Sequence, residues 1–479
     1  MIADLKPYPA MKHSGVEWLG EVPEHWEVRR LKTLFSAVDI RSESGSEELL
    51  TVSSNLGIVL RRSANVTMFK AESYAGHKLC WPGDLVINSL WAWSRGLGVS
   101  DHHGIVSTAY GVYRPRDAGM LDPRFVHALV RSTPFRWELR VRSKGVWTSR
   151  LQLTDESFFG APFPLPPLAE QAAIVRFLDY ADRRIRRYIR AKQKLIKLLE
   201  EQKLGIIHRA VTRGLDPDVP LRDSGVEWLG EVPEHWEVMR VKQASQVLRG
   251  KFTHRPRNDP SLYDGPYPFI QTGEVARSDK TITSYRQTLN ERGLAVSRMS
   301  PAGTLVMTIA AKIGDVAVLD FDACFPDSVV GFAPRKHVER DFLYYMFRAM
   351  KPELLREAPV NTQGNLNVDR IGSRGIGVPP IPEQQGIVRR IEAETGRLDE
   401  AIDRGRREIS LLRELRTRLI ADVVTGKVDV REAAARLPDE ESDLAALDDA
   451  DALTDADALI DAEDATADDL DAVLEEVEA

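Results

Sequence analysis

Fifteen residues, "SGVEWLGEVPEHWEV", occupy Ser14–Val28 and return letter for letter at Ser224–Val238, 210 positions later. Chance does not produce an identity of that length, so the chain must fold as a duplicated frame. A second pair follows at nearly the same spacing. "LPPLAEQAAIVRFLD" (Leu165–Asp179) matches "VPPIPEQQGIVRRIE" (Val378–Glu392) at an offset of 213. Prolines closing an extended segment, then Glu and Gln in a first turn, mark a helix start.

Beyond each start the apolar spacing alternates between four and three. Ile185, Ile189, Ile196, Leu199 and Ile206 form one seam, with Lys192 and Lys203 in its gaps. The same offset gives Leu398, Ile402, Ile409, Leu412 and Leu419, with Gly405 and Arg416 in the gaps. A repeat near 3.5 residues predicts a helix packed lengthwise on another helix. The chain supplies two such helices of matching length, so the expectation is that they pair with each other around an approximate two-fold relation.

Between the repeats lie two unlike segments, 29–160 and 239–377, that mix alternating apolar runs ("GIVSTAYGVYRP", "GTLVMTIA") with short helical pieces ("PRFVHALVRS", "RDFLYYMFRAM"). Each reads as a globular α+β domain. The first holds Trp81, Trp91, Trp93, Trp137 and Trp147; the second holds no tryptophan. The predicted organisation is an N-terminal clamp (1–28), a first globular domain (29–160), a long helix (161–216), a second clamp (217–238), a second globular domain (239–377), a second long helix (378–437) and an acidic tail (438–479). In the clamps, Trp18 and Trp26 read as core anchors rather than ligand-stacking residues. Identical pieces make the frame, and unlike pieces carry the specificity.

Charge is divided along the chain. Residues 439–479 hold 18 Asp and Glu and no Lys or Arg, so residues 1–438 carry 65 basic against 72 − 18 = 54 acidic residues, a net of +11. A basic body suits a polyanionic partner, and the biased tail reads as disordered. Segment 29–160 has 18 basic and 12 acidic residues and segment 239–377 has 20 and 14, so each is +6. The run "RRIRRYIRAKQKLIK" (Arg183–Lys197) adds eight cations without an acid. Cys80 and Cys324 lie far apart, which argues against a disulfide framework or a zinc site and for a reducing, cytoplasmic setting. The N-terminal stretch has no apolar core of the secretory kind and no run is long enough to span a membrane.

Enzyme signatures are missing. There is no GxxxxGK[ST] and no glycine-rich nucleotide fingerprint. The "HHG" at His102 reads as a turn rather than a metal pair, and "FPDSVV" at Phe325 as a turn rather than a nuclease motif. Binding signatures are better represented. The stretch Arg136–Leu153 interleaves Arg140, Arg142, Lys144 and Arg150 with Trp147, Thr148 and Gln152. At the same place in the second half stand Asn361, Gln363, Asn365, Asn367 and Arg374. Amides and guanidinium groups pair bidentately with adenine and guanine edges, so these loops are candidates for reading a major groove. Arg95 and Lys312, each beside a glycine turn, are weaker candidates. Two readings stand at this point: a DNA-recognition protein, and a non-catalytic coiled-coil scaffold whose heads bind proteins.

The twofold "GVEWLGEVPEHWEV", the "PPLAEQ" and "PPIPEQ" helix starts and the two long helices resemble the specificity subunit of type I restriction–modification enzymes across roughly residues 14–430. The resemblance implies two target-recognition domains separated by antiparallel helices, each reading half of a bipartite site in double-stranded DNA. It also implies a subunit without activity of its own and with no cofactor on this chain. S-adenosylmethionine, ATP and Mg2+ would then act on partner modification subunits that methylate adenine and on restriction subunits that translocate and cut.

Overall fold

A computed structural model describes residues 5–63, 73–145, 151–310, 312–356 and 366–438. The acidic tail from residue 439 and the candidates Trp147, Thr148, Arg150, Asn361, Gln363 and Asn365 therefore lie outside the described residues. The chain divides into two compact units, residues 1–190 with 409–479, and residues 191–408. Two helices of unusual length, Leu168–Arg213 and Ile381–Val424, each contribute one stretch to each unit. The architecture is α+β, as the alternating patterns predict.

The seam is visible in the burial. On the first long helix Ile185 is buried and Ile189, Ile196, Leu199 and Ile206 are half-buried; on the second, Ile402, Ile409 and Leu419 are buried and Leu398 and Leu412 half-buried. Residues on the opposite faces, such as Arg183, Arg187, Arg407 and Arg418, are exposed. The gaps are filled by complementary groups. Within the second unit Lys192 pairs with Glu408 at 2.6 Å, Lys203 with Asp399, and Arg406 with Glu200 at 3.0 Å. Gly405 is the small residue opposite Ile196, whose Cγ1 lies 3.1 Å from where a Cβ would stand. Within the first unit Arg416 pairs with Asp182. As the number rises on one helix it falls on the other, so the helices run antiparallel.

The duplicated clamps fold alike. In the first unit Met11–His13 pairs antiparallel with Glu21–Pro23, and Glu27–Arg30 pairs with Pro162–Leu165. In the second, Leu221–Asp223 pairs with Glu231–Pro233, and Glu237–Arg240 with Gly375–Val378. Each clamp buries its second tryptophan, Trp26 at 0% and Trp236 at 1% exposure, so these rings are anchors and not ligand platforms. Their indole N–H groups cannot be left bare in a core. Trp26 Nε1 donates to Glu170 Oε1 at 2.8 Å and Trp236 Nε1 to Glu383 Oε1 at 2.9 Å. The preceding histidines meet the other oxygen: His25 Nε2 lies 2.7 Å from Glu170 Oε2, and His235 Nε2 lies 2.8 Å from Glu383 Oε2.

The neighbouring glutamines face the globular domains. Gln171, fully buried, donates from Nε2 to the carbonyls of Met120 and Pro166 at 3.0 and 2.9 Å and accepts from Asp122 N–H at 2.8 Å. Gln384, also fully buried, repeats the triad with His337, Pro379 and Glu339 at 2.9, 2.7 and 2.7 Å. The "EQ" at each helix start thus ties helix to clamp with one residue and helix to domain with the next. The long helices end against the clamps as well. Gly214 and Gly426 adopt φ +74° and +78°, the left-handed conformation that stops a helix. A Cβ on Gly426 would stand 2.4 Å from Pro23 Cδ, and one on Gly214 would stand 3.3 Å from the Trp236 ring.

The first unit carries a four-stranded antiparallel sheet, in order Phe35–Ala37, Tyr110–Pro115, Leu85–Asn88, Leu97–Val99, covered by helices Pro123–Val130 and Thr133–Arg142. Phe125, Leu129, Phe135 and Leu139 join Phe177, Leu419 and Val423 in one core, so domain and helices share it. The second unit carries a five-stranded sheet, Ser245–Arg249, Val329–Pro334, Leu305–Thr308, Val316–Leu319 and Thr281–Ile282, and a smaller four-stranded one. Helix Arg340–Arg356 buries nine residues with Ile207, Val211, Ile387 and Ile391 in the corresponding core. No described helix is long and apolar enough to cross a membrane.

Replacing either buried glutamine by leucine strands two carbonyls and one N–H. Gln171→Leu and Gln384→Leu should each lose on the order of 3 kcal/mol in urea denaturation. A loss below about 1 kcal/mol would mean that water or a local shift satisfies those groups and that the glutamines do not hold the domains.

Candidate nucleic-acid interface

In the first unit the guanidinium of Arg131 is the hub. It donates to five main-chain carbonyls: Ser53 at 3.4 Å, Ser54 and Asn55 at 2.7 Å, Arg95 at 3.1 Å and Leu97 at 2.7 Å. One side chain thereby fastens the hairpin loop after Leu50–Ser53 to the glycine turn before Leu97–Val99. Burial pulls the group down to about 10, with Arg95 the second cause, so it stays protonated at neutral pH. The sequence reading did not single out Arg131. An Arg two residues after a buried helical Leu carries no signal until the loops it binds are known.

Arg95 sits in the turn that Arg131 holds, at φ +65°, a conformation uncommon for a residue with a Cβ. Its Nε is buried without a hydrogen-bond partner. Burial, then Arg136 and Arg416 nearby, lower its proton affinity below the ordinary arginine value. Arg136 and Arg140 come from helix Thr133–Arg142, one turn apart, with Trp137 between them and 54% exposed. The Arg140 guanidinium lies over the Trp137 ring at 5.4 Å. With Trp93 and Ser94 these residues line a small cleft of about 100 Å3. Among the described residues no carboxylate pairs with Arg95, Arg136 or Arg140. Cations gathered without counter-charges, beside an exposed indole, form a surface suited to phosphates and stacked bases.

The remaining candidates of this unit are placed as follows. Lys144 and Gln152 are brought opposite each other by paired main-chain hydrogen bonds at 2.9 and 3.0 Å, which close the base of a loop, and both side chains are exposed. Arg142 is engaged with Glu138 one turn earlier. His102 and His103 lie exposed in a bend, with the His103 ring 4.9 Å from Trp81. Among the described residues no group of three His, Cys, Asp or Glu could hold a metal.

In the second unit the candidates are more dispersed. Lys312 is exposed in the turn that contains Gly314. Asn367 spends its side-chain oxygen on helix Val368–Ser373, accepting from Asp369 N–H at 2.8 Å as the N-cap. Arg374 follows that helix, and its carbonyl accepts from Val241 N–H at 2.9 Å. Arg249 reaches Asp369 at 2.9 Å, while Asp327, in the predicted turn, binds Arg255 and Arg257. The unit also has a cleft of about 690 Å3 beneath Tyr344 and Tyr345. Most of its cations are committed: Lys203 to Asp399, Lys351 to Asp315, and Lys280 to Asp341 and Glu392 at 3.0 and 2.8 Å, while Arg348 lies against Tyr344.

Comparison with known proteins agrees with this geometry. The family model for the type I restriction modification DNA specificity domain matches residues 233–404. A putative type I restriction enzyme MjaX specificity subunit of Methanocaldococcus jannaschii is 21% identical over 440 residues, covering 86% of this chain and 96% of the relative. The MjaVIII specificity subunit of the same organism is 23% identical over 341 residues, covering 68% and 75%. A chain solved in work on complex assembly and conformational transition of the type I R-M system has the same fold, with TM-score 0.60 and 19% identity over 84% of this chain and 98% of that one. Residues 233–404 thus match the type I restriction modification DNA specificity domain, and over most of its length the chain is similar to type I restriction enzyme specificity subunits.

Proposed function

We propose that this chain reads an asymmetric, bipartite site in double-stranded DNA and directs partner subunits to it. One half-site is assigned to the domain at 29–160 and the other to the domain at 239–377. The observation that carries the reading is the contrast between frame and cargo. Glu170 and Glu383, with their histidines, tryptophans and glutamines, build the same support twice, yet the domains so held differ in sheet topology and in surface. A repeated support for unlike readers is what recognition of two different half-sites requires. The partners follow from the family: methyltransferase subunits for adenine methylation, and ATP-dependent restriction subunits for translocation and cleavage. Catalysis, with its S-adenosylmethionine, ATP and Mg2+, is assigned to those partners, and the setting is the cytoplasm.

Within the first reader, Arg95, Arg136 and Arg140 are assigned to phosphates, and the loop bearing Trp147, Thr148 and Arg150, closed by Lys144 and Gln152, to base edges. In the second, Lys312 and Arg374 are assigned to phosphates, and Asn361, Gln363 and Asn365 to base edges. Phosphate contacts position a reader, and base-edge contacts give it sequence preference.

The purified chain alone should transfer no methyl group to DNA, whereas co-expression with modification subunits should produce adenine methylation at two short blocks separated by an unspecified spacer. Exchanging residues 29–160 for another recognition domain should alter one block in the methylome and leave the other intact. Methyl transfer by the isolated chain, or alteration of both blocks, would contradict the assignment.

The phosphate and base assignments separate in binding assays. Arg136→Ala and Arg140→Ala should weaken binding to all duplexes alike, each reducing the slope of log affinity against log salt by about 0.9. Gln363→Ala or Arg150→Ala should instead relax one base position, at about 1–3 kcal/mol for a bidentate contact. An unchanged salt slope in both arginine variants would remove the cleft from the DNA path.

A further inference from the structure

We infer that the acidic tail, residues 439–479, docks on the outer cationic face of the first long helix within the first unit. This goes beyond the family reading and does not depend on it. Segment 429–437 lies against the N-terminal residues: Asp429 N–H donates to Lys6 O at 2.8 Å, and the Arg431 guanidinium lies over Tyr8 at 5.0 Å. The last described residues then meet the long helix, where Arg176 donates to the carbonyls of Leu437 and Pro438 at 2.9 and 3.1 Å. The tail therefore departs from the helix at Arg176.

From that point the same helical face is basic. Positions 176, 180, 183, 187 and 190 follow one another at steps of four and three, and all but Tyr180 are arginine. Arg184 lies beside them, donating to the Tyr180 hydroxyl at 2.8 Å with its guanidinium 5.6 Å from that ring. Residues 183–190 hold five arginines and no acid. Of these five, Arg186 is paired with Asp182 at 2.8 Å; Asp182 also meets Arg416, and Asp179 is engaged by Arg124 at 2.9 Å. Arg183 and Arg187 are exposed and have no carboxylate partner among the described residues. Both point away from the seam, whose buried member here is Ile185.

The tail supplies the complement: 18 carboxylates in 479 − 438 = 41 residues, and no cation. From Arg176 to Arg190 the helix rises about 21 Å at ~1.5 Å per residue. About seven extended residues cover that distance, so reach is no obstacle. Each exposed ion pair contributes little and is screened by salt. Tethering changes the balance, because it holds the carboxylates at a local concentration in the millimolar range with no translational entropy left to lose. The contact is thus favoured over free anions yet remains salt-sensitive.

The test uses the full chain with one fluorophore on the helix and one on the tail. Cys80 and Cys324 are buried, so Ala172→Cys and Ala467→Cys can be labelled selectively. At about 50 mM salt, energy transfer should be high, and it should fall at least about twofold at about 500 mM as screening shortens. Arg183→Glu with Arg187→Glu should produce the same fall at low salt, and Arg183→Gln with Arg187→Gln a smaller one, with thermal unfolding unchanged in both. Transfer that is equal in the parent and the charge-reversed chain overturns the proposal. So does charge reversal that weakens binding to mixed-sequence duplex DNA while transfer stays high, because the face then serves DNA and not the tail.

Discussion

One carboxylate per unit, buried at Glu170 and half-buried at Glu383, organises the structure. Glu170 is 6% exposed and receives the Tyr8 hydroxyl at 2.6 Å, the Trp26 indole at 2.8 Å and the His25 ring at 2.7 Å. A carboxylate taken from water is costly unless its lone pairs are filled. Here they are filled by the segment whose sequence is repeated without change. The requirement is mutual, since the tryptophan needs an acceptor as much as the glutamate needs donors. That reciprocity explains why the second copy preserves both partners, the tryptophan at an offset of 210 and the glutamate at 213, while the domains between them differ. Tyr8 is the asymmetric addition. Burial and the adjacent carboxylate hold its phenol protonated, as a donor.

The frame separates support from recognition. Glu170 and Glu383 fix each long helix to its clamp, and Gln171 and Gln384 fix the same helix turn to the loop that starts a domain helix. A domain surface can then vary without disturbing its attachment, because the attachment uses main-chain carbonyls and N–H groups rather than particular side chains. The two units illustrate it: a four-stranded sheet with an arginine and tryptophan cleft beside it in one, and a five-stranded sheet with a separate smaller sheet in the other.

The long helices follow a related economy. Their seam is apolar at most steps, but Lys192, Lys203 and Arg416 occupy steps where a hydrophobe would ordinarily stand. Each meets a carboxylate on the facing helix: Glu408, Asp399 and Asp182. Such pairs add little stability at half-exposed positions. They do fix register, because sliding either helix by a turn would leave three charges facing apolar side chains. Gly405 acts in the same sense, admitting Ile196 where a larger residue would collide.

Much of this was written in the chain. An exact repeat, a helix-start phrase and a 3.5-residue seam can be read without coordinates, because they reflect local propensity and periodicity. So can the two α+β segments and the missing enzyme motifs. Tertiary structure decided the rest. That the repeated Trp and His close on the Glu of "PPLAEQ" depends on bringing residues 26 and 170 together, and nothing local encodes a contact across 144 positions. The roles of the arginines were equally hidden. Arg131 binds five carbonyls, Arg142 binds Glu138, and half-buried Arg136 and exposed Arg140 are left without a carboxylate partner beside Trp137. In sequence all four are the same residue type within twelve positions. A guanidinium becomes a structural clamp or a free cation according to which acceptors the fold delivers to it, and only the folded chain contains that information.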